Sequence, residues 1–408
     1  MTRRVAITGI GTISALGRNR TDFWKSLSTG TSGIAALSGQ APGTSFKFAN
    51  AAEATGFDPL SWLDAKESAY LDRFAQMGLC AAHEALSDAG IEWTDQLREQ
   101  TSIVTGSSLG GKYVEDEGYF QLYSQKHMRF NPMSIPKAMM NALTSCISQT
   151  FAITGPAWTV STACSSSNHA IGQAFEHVRN GHSELALAGG ADAPFTPGVL
   201  RAWEALRVVS PTTCRPFTRH RDGLILGEGA AILVLEPLDA AQARGAKIYC
   251  EIVGFGMSSD AHHITQPSSA GAARALRAAL KNAGLAPEQI GYINAHGTGT
   301  QANDASETAA IRTVFGGHAD RIAVSSTKSM HGHTLGAAGA IEAAATALSL
   351  YYGVLVPTIN FTEPGESCDL DYVPNHSRAA RVEAALSSSF AFGGLNAVLA
   401  FRGLPLLP

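Results

Sequence analysis

Charge is what this chain has least of. Only 16% of its 408 residues are Asp, Glu, Lys or Arg, where about 25% is usual. Surface is therefore scarce relative to core, as in a large, well-buried α/β protein or an oligomer. A basic excess is absent too. Thirty Lys and Arg face thirty-four Asp and Glu, for a net charge of −4, which argues against a protein that wraps nucleic acid. No run of about 20 apolar residues occurs, so no membrane span is expected. The six cysteines (Cys80, Cys146, Cys164, Cys214, Cys250 and Cys368) include no CxxC pair, so neither a zinc site nor a redox dithiol is expected, and no metal is called for. A disulfide scaffold does not suit this length, and reduced thiols in the cytoplasm are the expectation. The first fourteen residues, MTRRVAITGIGTIS, superficially suggest a signal peptide. Gly9 and Gly11 interrupt the apolar stretch, and it reads as a first β-strand.

What is present is an α/β pattern. Glycine, 41 residues, falls at strand ends and helix starts. Strand-like runs occur at 4–8, 102–105, 230–235, 248–253, 322–325 and 397–401. Helical runs at 71–89 and 270–283 each stop at a glycine, Gly90 and Gly284. The chain also echoes itself. Residues 160–165 align with 324–329, and the same offset places His169 on His333 and Gly172 on Gly336. Residues 227–233 resemble 393–399, and 85–90 resemble 279–284. Three matches in one order point to a duplicated α/β unit, with its boundary near 236–250. Two such halves, 1–245 and 246–408, are expected to pack as one compact body with function near their shared centre.

Four segments carry candidate chemistry. In the first, a short strand through Trp158 leads to TACSSS at 162–167, after which Ala170, Ile171, Ala174, Phe175 and Val178 follow helical spacing. Cys164 thus stands at a strand-to-helix turn. The unpaired N–H groups and the dipole of the helix start are expected to lower its thiol pKa, and the turn to expose it. In the second, NAHGTGT at 294–300 ends a strand at His296, a position suited to acid–base or hydrogen-bond duty, with Thr298 and Thr300 able to hold a polar ligand or simply cap a turn. In the third, KSMHGHTLGAAG at 328–339 opens an Ala-rich helix bland enough to be buried. Lys328 and Glu342 would then need each other as partners. His331 and His333 both qualify as reactive. In the fourth, SFAFGGLN at 389–396 sets Phe390 and Phe392 beside a Gly-Gly turn, either as core packing or as a small gate.

These four segments, in this order, resemble the β-ketoacyl-[acyl-carrier-protein] synthases of the elongating Cys-His-His class, the ketosynthases of type II fatty-acid and polyketide synthesis. The likeness covers essentially the whole chain. It implies the thiolase fold: two βαβαβαββ halves in a five-layered αβαβα arrangement, usually a homodimer. It implies that Cys164 takes the acyl chain from a carrier's phosphopantetheine as a thioester. His296 and His333 would assist decarboxylation of malonyl-carrier and hold the enolate oxygen. The resulting carbanion attacks the Cys164 thioester in a Claisen condensation. Backbone N–H groups of Cys164 and Phe392 would form the oxyanion hole, and Phe392 the gate. Lys328 with Glu342 would organise the site, and Thr298 and Thr300 would touch pantetheine. Lys66 and Arg207 match a surface that grips the acidic carrier. No cofactor beyond the carrier's phosphopantetheine is implied.

The chain departs from the housekeeping pattern at several points. Leu395 precedes Asn396 where Thr is usual, and Ser165-Ser166-Ser167 replaces Thr-Ser-Gly. The loop between Ser210 and Arg215 is short, and Ala69 and Tyr70 stand where basic residues are expected. Two readings therefore stand side by side: elongation in fatty-acid biosynthesis, or a specialised pathway (aryl-polyene, polyketide or nodulation-factor acyl type) with its own carrier. A homodimer is expected, or a heterodimer with a chain-length-factor-like subunit. Leu109 and Phe392 are nominated for the acyl pocket. Among rivals, a dinucleotide oxidoreductase rests on Gly9-Ile-Gly11, but Ser14 breaks the fingerprint. A thiolase would need a second reactive cysteine near Gly393-Gly394, where none stands. A catalytically dead partner subunit would lack the nucleophile.

Overall fold

The computed structural model describes residues 2–38 and 45–404. Ten strands carry the fold: β1 (Val5–Ser14), β2 (Thr101–Gly106), β3 (Ala157–Val160), β4 (Leu185–Asp192), β5 (Gly229–Pro237), β6 (Cys250–Ser259), β7 (Ile290–Asn294), β8 (Ala323–Ser325), β9 (Ala384–Phe390) and β10 (Leu395–Arg402). Their order across the sheet is β8-β7-β9-β10-β6-β1-β5-β4-β2-β3. Each half lists its strands in the same sequence, 1-5-4-2-3 and 6-10-9-7-8. The pairings repeat as well. Within each half two antiparallel contacts are followed by two parallel ones. The halves meet where β1 pairs antiparallel with β6 over Val5, Ala6 and Ile7.

The layers include five helices, and a sixth, α3, lies beside the candidate site: α1 (Arg73–Ala89), α2 (Ser166–Arg179), α3 (Pro197–Leu206), α4 (Ser269–Ala283), α5 (Gln301–Phe315) and α6 (Ala338–Tyr352). Helix α1 covers the outer face of the first half, and α4, with α5 alongside, covers the second. Helices α2 and α6 lie between the two sets of strands and touch both. The stack is αβαβα. The central layer explains the composition of α6. From Ala338 to Ser349 every residue is buried, so small side chains are needed on all sides rather than on one stripe. One apolar cluster accordingly joins Val5 and Ile7 of β1 to Ala174 of α2, Ile341 of α6 and Phe401 of β10. Among the described residues no helix is long and apolar enough to cross a membrane.

The first strand is longer than its apolar run suggested. It continues to Ser14 because Gly9 and Gly11 lie inside it, under α1. A Cβ on Gly11 would run into the carbonyl oxygen of Ala81, and one on Gly9 into that of Ala85. These glycines allow a helix to lie close on a strand; they do not form a phosphate-binding turn, which removes the dinucleotide reading. Gly11→Ala is expected to lower stability by about 3 kcal/mol, the upper end of ordinary overpacking. The guanidinium unfolding midpoint is the check, and an unchanged midpoint would show that α1 can shift.

Candidate active site

Cys164 sits where β3 hands over to α2. The turn is strained: Ala163 has φ +51°, a left-handed conformation without a glycine. Serine hydroxyls hold it. Ser166 Oγ accepts from Thr162 N (2.8 Å) and donates to the Ala163 carbonyl (2.6 Å). Ser165 Oγ donates to the carbonyls of Thr162 (2.8 Å) and Leu395 (2.9 Å). The last bond ties the turn to the glycine loop after β9, so the run of serines after the cysteine is structural.

Two expectations for Cys164 are corrected. Its side chain is only 7% exposed; it faces an internal cavity instead of the surface. Burial pushes its thiol up to about 11, opposed by Lys328 and by the N–H groups of Phe392 and Cys164 itself. The sequence shows the helix start, which favours a thiolate. It does not show the desolvation, which here outweighs that pull.

His296 follows the end of β7. Its backbone N–H and that of Gly297 each donate to the Glu307 carboxylate on α5 at 2.8 Å. Ser326 Oγ donates to the Gly297 carbonyl at 2.6 Å. The imidazole Nδ1 faces Lys328 Nζ at 3.3 Å, and the same ammonium is paired with Glu342. An ammonium only donates, so Nδ1 accepts and the ring proton sits on Nε2. His333 reaches the same state by another route. Its Nδ1 accepts from the Leu335 N–H at 3.2 Å, and its backbone is bonded to Ile225 and Gly227. The two rings lie 5.4 Å apart, nearly perpendicular. Burial first, then Lys328, lowers both imidazoles well below the usual histidine range. Both are neutral and both carry Nε2–H as a donor.

Lys328 and Glu342 are wholly buried and bonded to each other, as their context in the sequence suggested. Burial lifts the Glu342 carboxyl to about 7, against the pull of Lys328. His331 is buried too, hydrogen-bonded through Nε2 to Thr327 Oγ1 at 2.9 Å and lowered to about 3 by burial.

One cavity brings together Cys164, His296, His333, Thr298, Thr300, Phe390 and Phe392. Thr298 and Thr300 share a hydroxyl–hydroxyl bond of 2.9 Å, and Thr300 also caps α5, so the ligand-holding and turn-capping readings are compatible. Phe390 ends β9 and meets His296 edge-on at 6.2 Å. Phe392 precedes Gly393 and Gly394, both left-handed. Arg207 is exposed, one residue before cavity-lining Val208. Lys66 is exposed on the short helix Ala65–Ala69 and does not line the cavity. Leu109 does not line it either. It packs in the apolar cluster that holds Trp203, Val208 and Leu224, which do.

Sequence reasoning missed three residues here. Glu307 holds the His296 loop. Asp192, fully buried at the end of β4, accepts from Ser107 Oγ (2.7 Å), Ser108 Oγ (2.6 Å) and the Gly336 N–H (2.7 Å), so it fastens the segment just after His333. Trp203 of α3 stacks on Phe392. A lone carboxylate or tryptophan in a helical or strand run gives no signal of its own. For Asp192 the only hint was a charge closing an otherwise apolar strand.

A cavity that offers a sulfur nucleophile and two neutral N–H donors belongs to the enzymes that move acyl groups between thiols. The duplicated five-layer body around it is the thiolase fold. The chain belongs to the β-ketoacyl synthases: that family's N-terminal domain matches residues 2–241 and its C-terminal domain residues 249–362. It is therefore a condensing acyltransferase. It is 43% identical to nodulation protein E of Rhizobium sp. (strain N33), over 98% of this chain and 100% of that protein. It is 41% identical to 3-oxoacyl-[acyl-carrier-protein] synthase 2 of Synechocystis sp. (strain ATCC 27184 / PCC 6803 / Kazusa), over 98% of each. Among solved structures, the ishigamide ketosynthase/chain length factor matches with a TM-score of 0.93 and 35% identity, over 99% of this chain and 100% of that one.

Proposed function

We propose that this chain elongates carrier-bound acyl groups by decarboxylative Claisen condensation, with the residues of the Cys164 cavity in the following roles. The Cys164 sulfur attacks the acyl-carrier thioester, and the phosphopantetheine thiol leaves with the proton that Cys164 gives up. The N–H groups of Cys164 and Phe392 face the developing oxyanion; both residues line the cavity. Malonyl-carrier then enters and loses CO₂. The enolate oxygen accepts from Nε2–H of His296 and His333. The enolate carbon attacks the Cys164 thioester carbonyl, the C–S bond breaks, 3-oxoacyl-carrier leaves, and the released Cys164 sulfur takes a proton from solvent. Lys328 and Glu342 orient His296, and Thr298 and Thr300 line the pantetheine path. The observation that carries this reading is that both histidines are neutral, with their Nδ1 atoms already engaged. A protonated histidine beside the malonyl carboxylate would stabilise that anion by ion pairing and oppose its loss as CO₂. Two neutral donors favour the enolate instead.

The partner in this reading is an acyl carrier protein, met at Arg207 and Lys66, and the setting is the cytoplasm. Residues 1–245 and 246–408 are the two halves of one body. A second subunit, identical or chain-length-factor-like, is supported by the free edge of β3 and by exposed Tyr119, Phe120, Tyr123, Met128, Phe130 and Ile135. An apolar face of that kind calls for a partner. The pathway has two readings. Elongation in fatty-acid synthesis follows from the chemistry alone. A specialised pathway with a dedicated carrier is favoured by Ala69 and Tyr70, which leave Lys66 as the sole base on its helix. Intact-mass measurement after incubation with acylated housekeeping and pathway-specific carriers separates them. Labelling from the housekeeping carrier with ordinary saturated chains supports fatty-acid elongation. Labelling only from the specialised carrier supports the second reading. No adduct from either overturns both.

A further inference from the structure

The ring of Phe392 is held from one side by a residue outside the gate segment. Trp203, in the last turn of α3, lies nearly parallel to it, with centroids 6.2 Å apart and planes inclined by 24°. That is within the range of an attractive aromatic pair. Both rings line the Cys164 cavity. The Phe392 backbone is flanked by turn hydrogen bonds, Ala391 N–H to the Leu395 carbonyl and Gly394 N–H to the Ala391 carbonyl, with open space beside Gly393. Gly393 (φ +82°) and Gly394 (φ +70°) follow it, and nothing packs where a Cβ of Gly393 would point. The Gly393 N–H donates outward to the Ile264 carbonyl at 2.7 Å. Phe392 lines the cavity beside Cys164, so its ring stands where an acyl group would lie. Entry of an acyl group and the chemistry therefore ask for different positions of one residue.

Helix α3 links that residue to the surface. Its body is fastened: Gly198 N donates to Asp116 at 2.8 Å, and the Arg201 guanidinium lies over Phe46 at 4.5 Å. Its end is not regular. Arg207, one turn beyond Trp203, is left-handed (φ +56°) and exposed. One helical turn separates Arg207 from Trp203.

We propose that Trp203 is a latch on the Phe392 turn, released when a carrier docks at the Arg207 end of α3, so that Cys164 is loaded from carriers in preference to small free thioesters. Trp203 is a positioning residue in this scheme and takes no part in bond making. The proposal rests on the reading of Cys164 and Phe392 given above. The test is the rate of Cys164 acylation, followed by intact mass, from an acyl-carrier and from the same acyl group on N-acetylcysteamine. Trp203→Ala and Trp203→Leu remove the aromatic face; Trp203→Phe keeps it. The first two are expected to raise the small-donor rate relative to the carrier rate by roughly three- to tenfold, the range an aromatic pair carries. Trp203→Phe is expected to restore the wild-type ratio. Equal falls with both donors would make Trp203 merely structural and overturn the proposal, as would an unchanged ratio in all three variants. If the wild-type protein takes no acyl group from any donor, the reading of Cys164 fails, and the latch falls with it.

Discussion

Cys164→Ala is expected to abolish acyl-enzyme formation and to lower condensation at least about 10⁴-fold, the scale seen when a covalent nucleophile is removed. The fold should survive, because the turn is held by the hydroxyls of Ser165 and Ser166 and not by the sulfur. Intact mass and single-turnover assays read the two losses together. Retained condensation without an adduct would mean that another group takes the acyl chain. The wild-type sulfur has its own test. Its thiol is pushed up to about 11, so the reactive thiolate fraction rises tenfold per pH unit below that value. Alkylation by iodoacetamide should therefore keep climbing through the alkaline range. A plateau below pH 8 would show that the start of α2 outweighs burial after all.

How much of this site could be read beforehand depends on what kind of signal each residue leaves. TACSSS, NAHGTGT and KSMHGHTLGAAG were legible because each breaks a strand pattern with small residues and a reactive group. The repeat placed Cys164 on Lys328, and in the fold both follow an edge strand of their half, β3 and β8, ahead of a central helix, α2 and α6. The duplicated layers were legible for the same reason. Strand β1 was read too short because glycine signals a break when seen alone, and a close helix contact only when α1 is in view. The state of the Cys164 thiol was misread because desolvation is a property of the assembled layers. Glu307 and Trp203 left no trace, and Asp192 only a charge at a strand end, because their work is done across ten or more residues of separation, between elements that only the fold brings together. Buried carboxylates that accept several backbone N–H groups look, in a sequence, like any charge on a helix or at a strand end.

Lys328 separates organisation from chemistry most sharply. It touches His296 and Glu342 and is completely buried. Lys328→Met would leave the Glu342 carboxylate buried without its partner, a change that costs about 3–5 kcal/mol. Lys328→Met/Glu342→Leu removes both charges and should regain most of that stability. Acid should help the single variant most. The Glu342 carboxyl, already lifted to about 7 by burial, loses the cation that lowers it and rises further. A carboxyl raised in the folded state destabilises fully above its folded pKa, and the penalty vanishes as pH falls to its unfolded value. The stability of Lys328→Met should therefore rise from pH 8 to pH 5, more than that of the wild type, while the double variant, which lacks the carboxyl, gains nothing from this group. A deficit independent of pH would mean that Glu342 finds another partner. Activity should divide differently. In both variants His296 loses the donor that keeps its proton on Nε2, and kcat should fall about 10²–10³-fold, as when one oxyanion donor is lost. Stability regained without activity would assign Lys328 to holding the tautomer of His296; activity regained with stability would leave it a structural ion pair.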